Sequence, residues 1–159
     1  MSYRRICVAV ALQRYLDLTP IVLRQRELVR AIALDAQAVV AVLTVEAPVE
    51  LLPDVETTAE KLDRFASGLR EAGVGVEAVL RRGRPVAEIV DFVTTWRADL
   101  LVIGTHSKRG PLDVGLGSTA AGLPSDLAVP VLMVRPTATE QMTARELAIP
   151  RYPVVFPYG

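Results

Sequence analysis

The chain has 159 residues, 51% of them hydrophobic, which suffices for one domain with a buried core and is too little for two; we expect a domain over 1–136 and a tail over 137–159. Eighteen Lys and Arg balance eighteen Asp and Glu, and the three Phe, four Tyr and one Trp are not interleaved with Arg along an alternating strand, so a nucleic-acid partner is not expected. No apolar run reaches the roughly 20 residues of a membrane span, and the start MSYRRICVAVAL has neither a long apolar leader region nor a cleavage site, so a soluble, cytoplasmic protein without a membrane partner is expected.

The first predicted element is a strand, Ile6 to Ala11, in which the single cysteine, Cys7, reads as a small core side chain rather than a reactive thiol. Thr19 is a candidate N-cap for a helix from Pro20 to about Asp35, with Leu28, Val29 and Ile32 directed at the core and Arg24, Arg26 and Arg30 at solvent. A strand follows over Ala38 to Val45. In the next segment Leu62, Phe65, Ala66 and Leu69 recur at i, i+3, i+4 and i+7, while Glu60, Lys61, Asp63, Arg64 and Arg70 are assigned to the other faces; this helix should end near Gly73. Val74 to Leu80 is a strand. Pro85 suits a first helical turn, and Val86, Ile89, Val90 and Val93 continue a stripe to Trp96. Strands over Leu100 to Gly104 and Val131 to Val134 flank a long loop and a short helix.

These strands read as apolar on both faces, the pattern of parallel strands covered by helices on each side. Their alternation with helices, joined by right-handed crossovers, gives an open five-stranded parallel sheet. Ligands of such sheets bind outside the carboxyl ends of the strands, where the strand order reverses. The loop VIGTHSKRGPLDVGLGSTAAG leaves the carboxyl end of the fourth strand, with glycines that let main chain approach an anion and Gly117-Ser118 opening a helix.

Gly104, two residues, Ser107, nine residues, then Gly117-Ser118 resembles the universal stress protein signature G-x2-G-x9-G-[ST]. ADLLVIGT before it, VPVLMVRP after it and RRGRPVAEIVDFV upstream resemble the family's fourth and fifth strands and third helix, so the likeness runs from Arg4 to Pro136. The resemblance implies a Rossmann-like α/β fold of the adenine nucleotide alpha hydrolase type with strand order 3-2-1-4-5. It implies a pocket for ATP or another adenine nucleotide, with Mg2+ if ATP. Phosphates would lie on Gly104, His106, Ser107, Gly117, Ser118 and Thr119, and adenine near Val10, Ala11, Thr44 and Val45. It also implies a homodimer formed by pairing Val131, Leu132, Met133 and Val134 with their twofold mates; an apolar edge strand is in any case a template for pairing.

The chain departs from the family pattern at particular residues. Ala11 stands where nucleotide binders commonly end the first strand in Asp, Ser107 replaces the second glycine, and Asp113 lies near the expected phosphates, with Lys108 and Arg109 to offset it. Gly122 and Pro124 fall inside the helix that follows and should break it, kink it or make it restart at Ser125. His106 is the only histidine and has no companions at metal spacing, so no metal site is expected. Neither a Gly-x-Ser-x-Gly elbow, a Walker loop nor a paired acid and base is present, so no catalytic residues are assigned. Three functions stay open: a non-enzymatic stress-response module that binds an adenine nucleotide, a nucleotide-independent dimeric scaffold acting on a protein partner and, as the weakest, slow ATP hydrolysis in such a pocket. The tail, with three prolines in its last ten residues, reads either as loosely packed or as an arm, because Tyr152, Val154, Val155, Phe156 and Tyr158 are costly to leave in water.

Overall fold

The computed structural model of the chain describes residues 3–13, 17–46, 57–104 and 118–135. In chain order they form β1 (Arg5–Ala9), α1 (Pro20–Ala36), β2 (Val39–Glu46), α2 (Thr58–Glu71), β3 (Gly75–Arg82), α3 (Pro85–Thr95), β4 (Leu100–Gly104), α4 (Ser118–Gly122) and β5 (Val131–Val134). All strand pairs are parallel and the order is β3-β2-β1-β4-β5, as expected.

Because side chains alternate along a strand, the sheet serves two cores. On one face Ile6, Val8, Val40, Val42 and Val102 pack with Val22 and Val29 of α1 and Phe65 and Leu69 of α2. On the other, Cys7, Ala41, Leu43, Leu101 and Ile103 pack with Ile89, Phe92 and Val93 of α3 and partly buried Ala120 of α4. Cys7 is fully buried beside Ala41 and Leu101, and burial pushes its thiol pKa up to about 12, which removes it from thiolate chemistry.

The helices begin where local chemistry satisfies their first N–H groups. Thr19 Oγ1 accepts from the Val22 N–H at 3.4 Å ahead of Pro20. Thr57 and Glu60 make a reciprocal capping box, the Glu60 N–H donating to Thr57 Oγ1 at 3.1 Å and the Thr57 N–H to Glu60 Oε1 at 2.8 Å. Gly83, at φ +139°, turns β3 towards Pro85 at the start of α3, a backbone state L side chains rarely adopt.

Several expectations are corrected. β1 ends at Ala9 rather than Ala11, although the Val10 N–H still donates to the Leu43 carbonyl at 2.9 Å. β3 is not apolar on both faces: it lies at the sheet edge, its residues are exposed or half-buried, and Glu77 and Arg82 belong to it. On α1 the buried stripe is Ile21, Val22, Gln25, Val29 and Ala33, which leaves Leu28 39% exposed instead of in the core. Lys61 is not on a solvated face of α2 but 1% exposed. The helix after the signature does break, ending at Gly122; the chain then turns, the Leu127 N–H donating to the Pro124 carbonyl at 3.2 Å, and no helix restarts at Ser125.

Candidate ligand site at the carboxyl ends of β1 and β4

β1 and β4 are neighbours, with Ala9 in register with Ile103, yet the chain leaves β1 towards α1 on one face and β4 towards α4 on the other. That divergence is the reversal of strand order, and it opens a crevice above the two strand ends. Of the residues assigned to the site from sequence, the structure brings Val10, Ala11, Thr44, Val45 and Gly104 to the carboxyl ends of β1, β2 and β4. Val10 is buried, Ala11 is exposed and Val45 is half-buried. Ser118 opens α4 and Thr119 is half-buried within it, while His106, Ser107 and Gly117 lie outside the described residues.

Gly104 has a structural use of its own. A Cβ built there would lie 2.9 Å from Gln25 Oε1 and 3.2 Å from Ile21 Cγ1. Its φ is not in the left-handed region, so what glycine supplies here is space for α1 to approach β4.

Three buried polar side chains surround the end of β1, each reaching a main-chain carbonyl as the strand ladder runs out. Gln25 of α1 donates through Nε2 to the Ala9 carbonyl at 2.9 Å, Thr44 of β2 donates through Oγ1 to the Val10 carbonyl at 2.8 Å, and Lys61 of α2 donates through Nζ to the Leu12 carbonyl. The three residues are 0%, 1% and 1% exposed. Gln25 Oε1, the other end of that amide, is buried beside Gly104 and accepts no hydrogen bond among the described residues. Sequence reasoning passed over Gln25 and Lys61. The signal was available, since Gln25 interrupts an otherwise apolar α1 stripe, and Lys61 falls at three- and four-residue spacing from Thr58 and Phe65 on the buried side of α2.

Two further described features lie outside this crevice. The Asp17 carboxylate pairs with Arg64, which holds its pKa below the usual carboxylate value. A hollow of about 430 Å³ between α1 and α2 is lined by Arg26, Asp63, Ser67 and Gly68 among others and includes none of the residues named for the site. Among the described residues no group of three His, Cys, Asp or Glu side chains could hold a metal ion, and no helix is long and apolar enough to cross a membrane.

An all-parallel sheet of order 3-2-1-4-5 with a crevice at its β1/β4 reversal defines a doubly wound, Rossmann-like α/β protein. The family model described as "Universal stress protein family" matches residues 2–135, and the chain belongs to that family. It is 34% identical over 95 residues to "Universal stress protein MJ0531" of Methanocaldococcus jannaschii, a match covering 58% of this chain and 56% of that protein, so little more than half of the relative's length is spanned. Among solved structures, a universal stress protein family protein of Arabidopsis thaliana with AMP bound aligns at 25% identity and a TM-score of 0.65, over 86% of this chain and 94% of that one. The universal stress protein of Archaeoglobus fulgidus in complex with dAMP aligns at 24% identity and a TM-score of 0.62, over 85% of this chain and 100% of that one, a likeness of fold.

Proposed function

We propose that this protein is a regulatory module of the stress response, non-enzymatic and cytoplasmic, that binds an adenine nucleotide in the crevice above β1 and β4. The observation that carries this reading is that Gly104 ends β4 and Ser118 starts α4, the element that follows it, where β4 borders β1 at the reversal in strand order, the place where sheets of this kind take their ligands. Similar proteins were solved with AMP and dAMP bound, which supports the adenine nucleotide class. The residues present fit such a group. Ala11 and Gly104 put no more than a methyl group at the crevice, and the described polar side chains there, Gln25, Thr44 and Lys61, are each engaged with main chain.

In this reading base and ribose lie by Val10, Ala11 and Val45, and phosphates by Gly104, His106, Ser107, Gly117, Ser118 and Thr119. ATP would be accompanied by Mg2+. Titration of purified protein with AMP, ADP, ATP and cyclic AMP tests it: saturable binding of at least one is expected, and no binding of any at millimolar ligand overturns it.

A second reading has its own observation. β5 closes the sheet with Val131 38% and Met133 43% exposed, an apolar edge suited to pairing with a second copy. A dimer built on that edge could act on a protein partner without nucleotide.

A further inference from the structure

The hollow of about 430 Å³ between α1 and α2 is built around a glycine that the helix itself does not need. Gly68 lies inside α2, where glycine weakens a helix relative to alanine. A Cβ built there would lie 2.8 Å from Cζ and 3.0 Å from Nε of Arg26, so the glycine is what lets the half-buried guanidinium of α1 rest against the α2 backbone. The same guanidinium stands 5.8 Å from the centre of the Phe65 ring. It is thus held in place by packing, yet among the described residues it pairs with no carboxylate. Glu71 follows Gly68 by three residues, one turn along the same face of α2, and it too lines the hollow with no ion-pair partner among the described residues. The other acids of the lining are engaged, Asp17 with Arg64 and Asp63 with Arg70 at 3.8 Å. Leu18 and Leu23, the latter 38% exposed, add an apolar wall.

We infer that this hollow is a second binding site, for a free amino acid with an aliphatic side chain: its carboxylate pairs with Arg26, its ammonium group with Glu71, and its side chain lies on Leu18 and Leu23. A planar guanidinium matches a carboxylate through two parallel N–H donors, and packing against Gly68 and Phe65 removes part of the entropy that a free arginine would lose on binding. Three carboxylates against two guanidinium groups in the lining oppose a phosphate dianion and are compatible with a ligand of no net charge. One cation and one anion left without partners on facing helices are what a zwitterion neutralises together. Both groups reach solvent, so each contact is weak and the affinity expected is millimolar. The site shares no residue with the crevice above β1 and β4, and the inference holds whether or not that crevice takes a nucleotide.

The test titrates the whole protein with leucine, with isocaproate, which lacks the ammonium group, and with isoamylamine, which lacks the carboxylate, following amide and side-chain resonances by NMR. Leucine should saturate one site per chain in the millimolar range, and each analogue should bind at least tenfold more weakly. Arg26→Gln should weaken leucine at least tenfold. Gly68→Ala should do the same by displacing the guanidinium, while its thermal midpoint stays level or rises, because alanine is the better helix former. That pairing of lost binding with retained stability is a result that a merely structural role for Gly68 would not give. No saturation at millimolar leucine, an analogue that binds as well as leucine, or wild-type affinity in either variant overturns the inference. Should Gly68→Ala lose stability, Arg26→Gln decides the outcome.

Discussion

At the scale of single residues, the structure gives the signature's first glycine a reason that precedes any ligand. Gly104 lets Gln25 and Ile21 of α1 lie against β4, and a methyl group there would meet Gln25 Oε1 at 2.9 Å. Gly104→Ala should therefore destabilise the free protein by about 1–3 kcal/mol, the usual cost of overpacking. The same change made in a Gln25→Ala background should cost clearly less, because the clashing atom is gone; urea denaturation of the four proteins closes the cycle. Additive costs would show that the contact is not the cause. Asp17 offers a pH test. Its pKa is lowered chiefly by the hydrogen bond from Arg64, so the pair's contribution is present above the ordinary carboxylate range and is lost as pH falls through the lowered folded value. The difference in stability between wild type and Asp17→Asn should be measurable at neutral pH and vanish in acid. It should be small, under about 1 kcal/mol, because the two side chains are 46% and 62% exposed.

At the scale of elements, most of the fold was legible from periodicity. The order of strands and helices, the Thr19 cap and the break at Gly122 all follow from patterns of apolar spacing and from residues with one dominant backbone preference. What sequence misjudged were polar residues on buried stripes and apolar residues off them. Lys61 carries a charge and so was assigned to solvent, yet its helical phase puts it on the core side, where the Leu12 carbonyl receives its ammonium group. Leu28 is apolar and so was assigned to the core, but its phase leaves it at the surface. β3 shows the same limit in a strand. Its position at the sheet edge, not its composition, decides its exposure, and edge position is a property of the assembled sheet. The other edge, β5, yields a prediction. Val131 and Met133 stand exposed on a strand that pairs only with β4 among the described residues. Light scattering at micromolar concentration should give a dimer mass, and Met133→Lys should shift it towards monomer. A wild-type monomer would rule out pairing at this edge.

At the scale of the whole molecule, site and fold are one consequence of topology. The order 3-2-1-4-5 sends the chain from β1 and β4 to opposite faces, and the crevice between them exists before any particular side chain is chosen. The crevice itself was legible in sequence, because the apolar pattern ends β4 at Gly104 and Ser118 opens the next helix. The collar of Gln25, Thr44 and Lys61 was not, because its members come from α1, β2 and α2 and meet only once the sheet is built. Such long-range polar contacts leave no local period to read. Whether the crevice takes an adenine nucleotide is tested most directly by calorimetric titration of AMP into wild-type protein and Gly117→Val. Saturable binding by wild type, with one nucleotide per chain and at least tenfold weaker binding by the variant, is the predicted result; no heat at millimolar AMP, or equal affinity in both proteins, would contradict it.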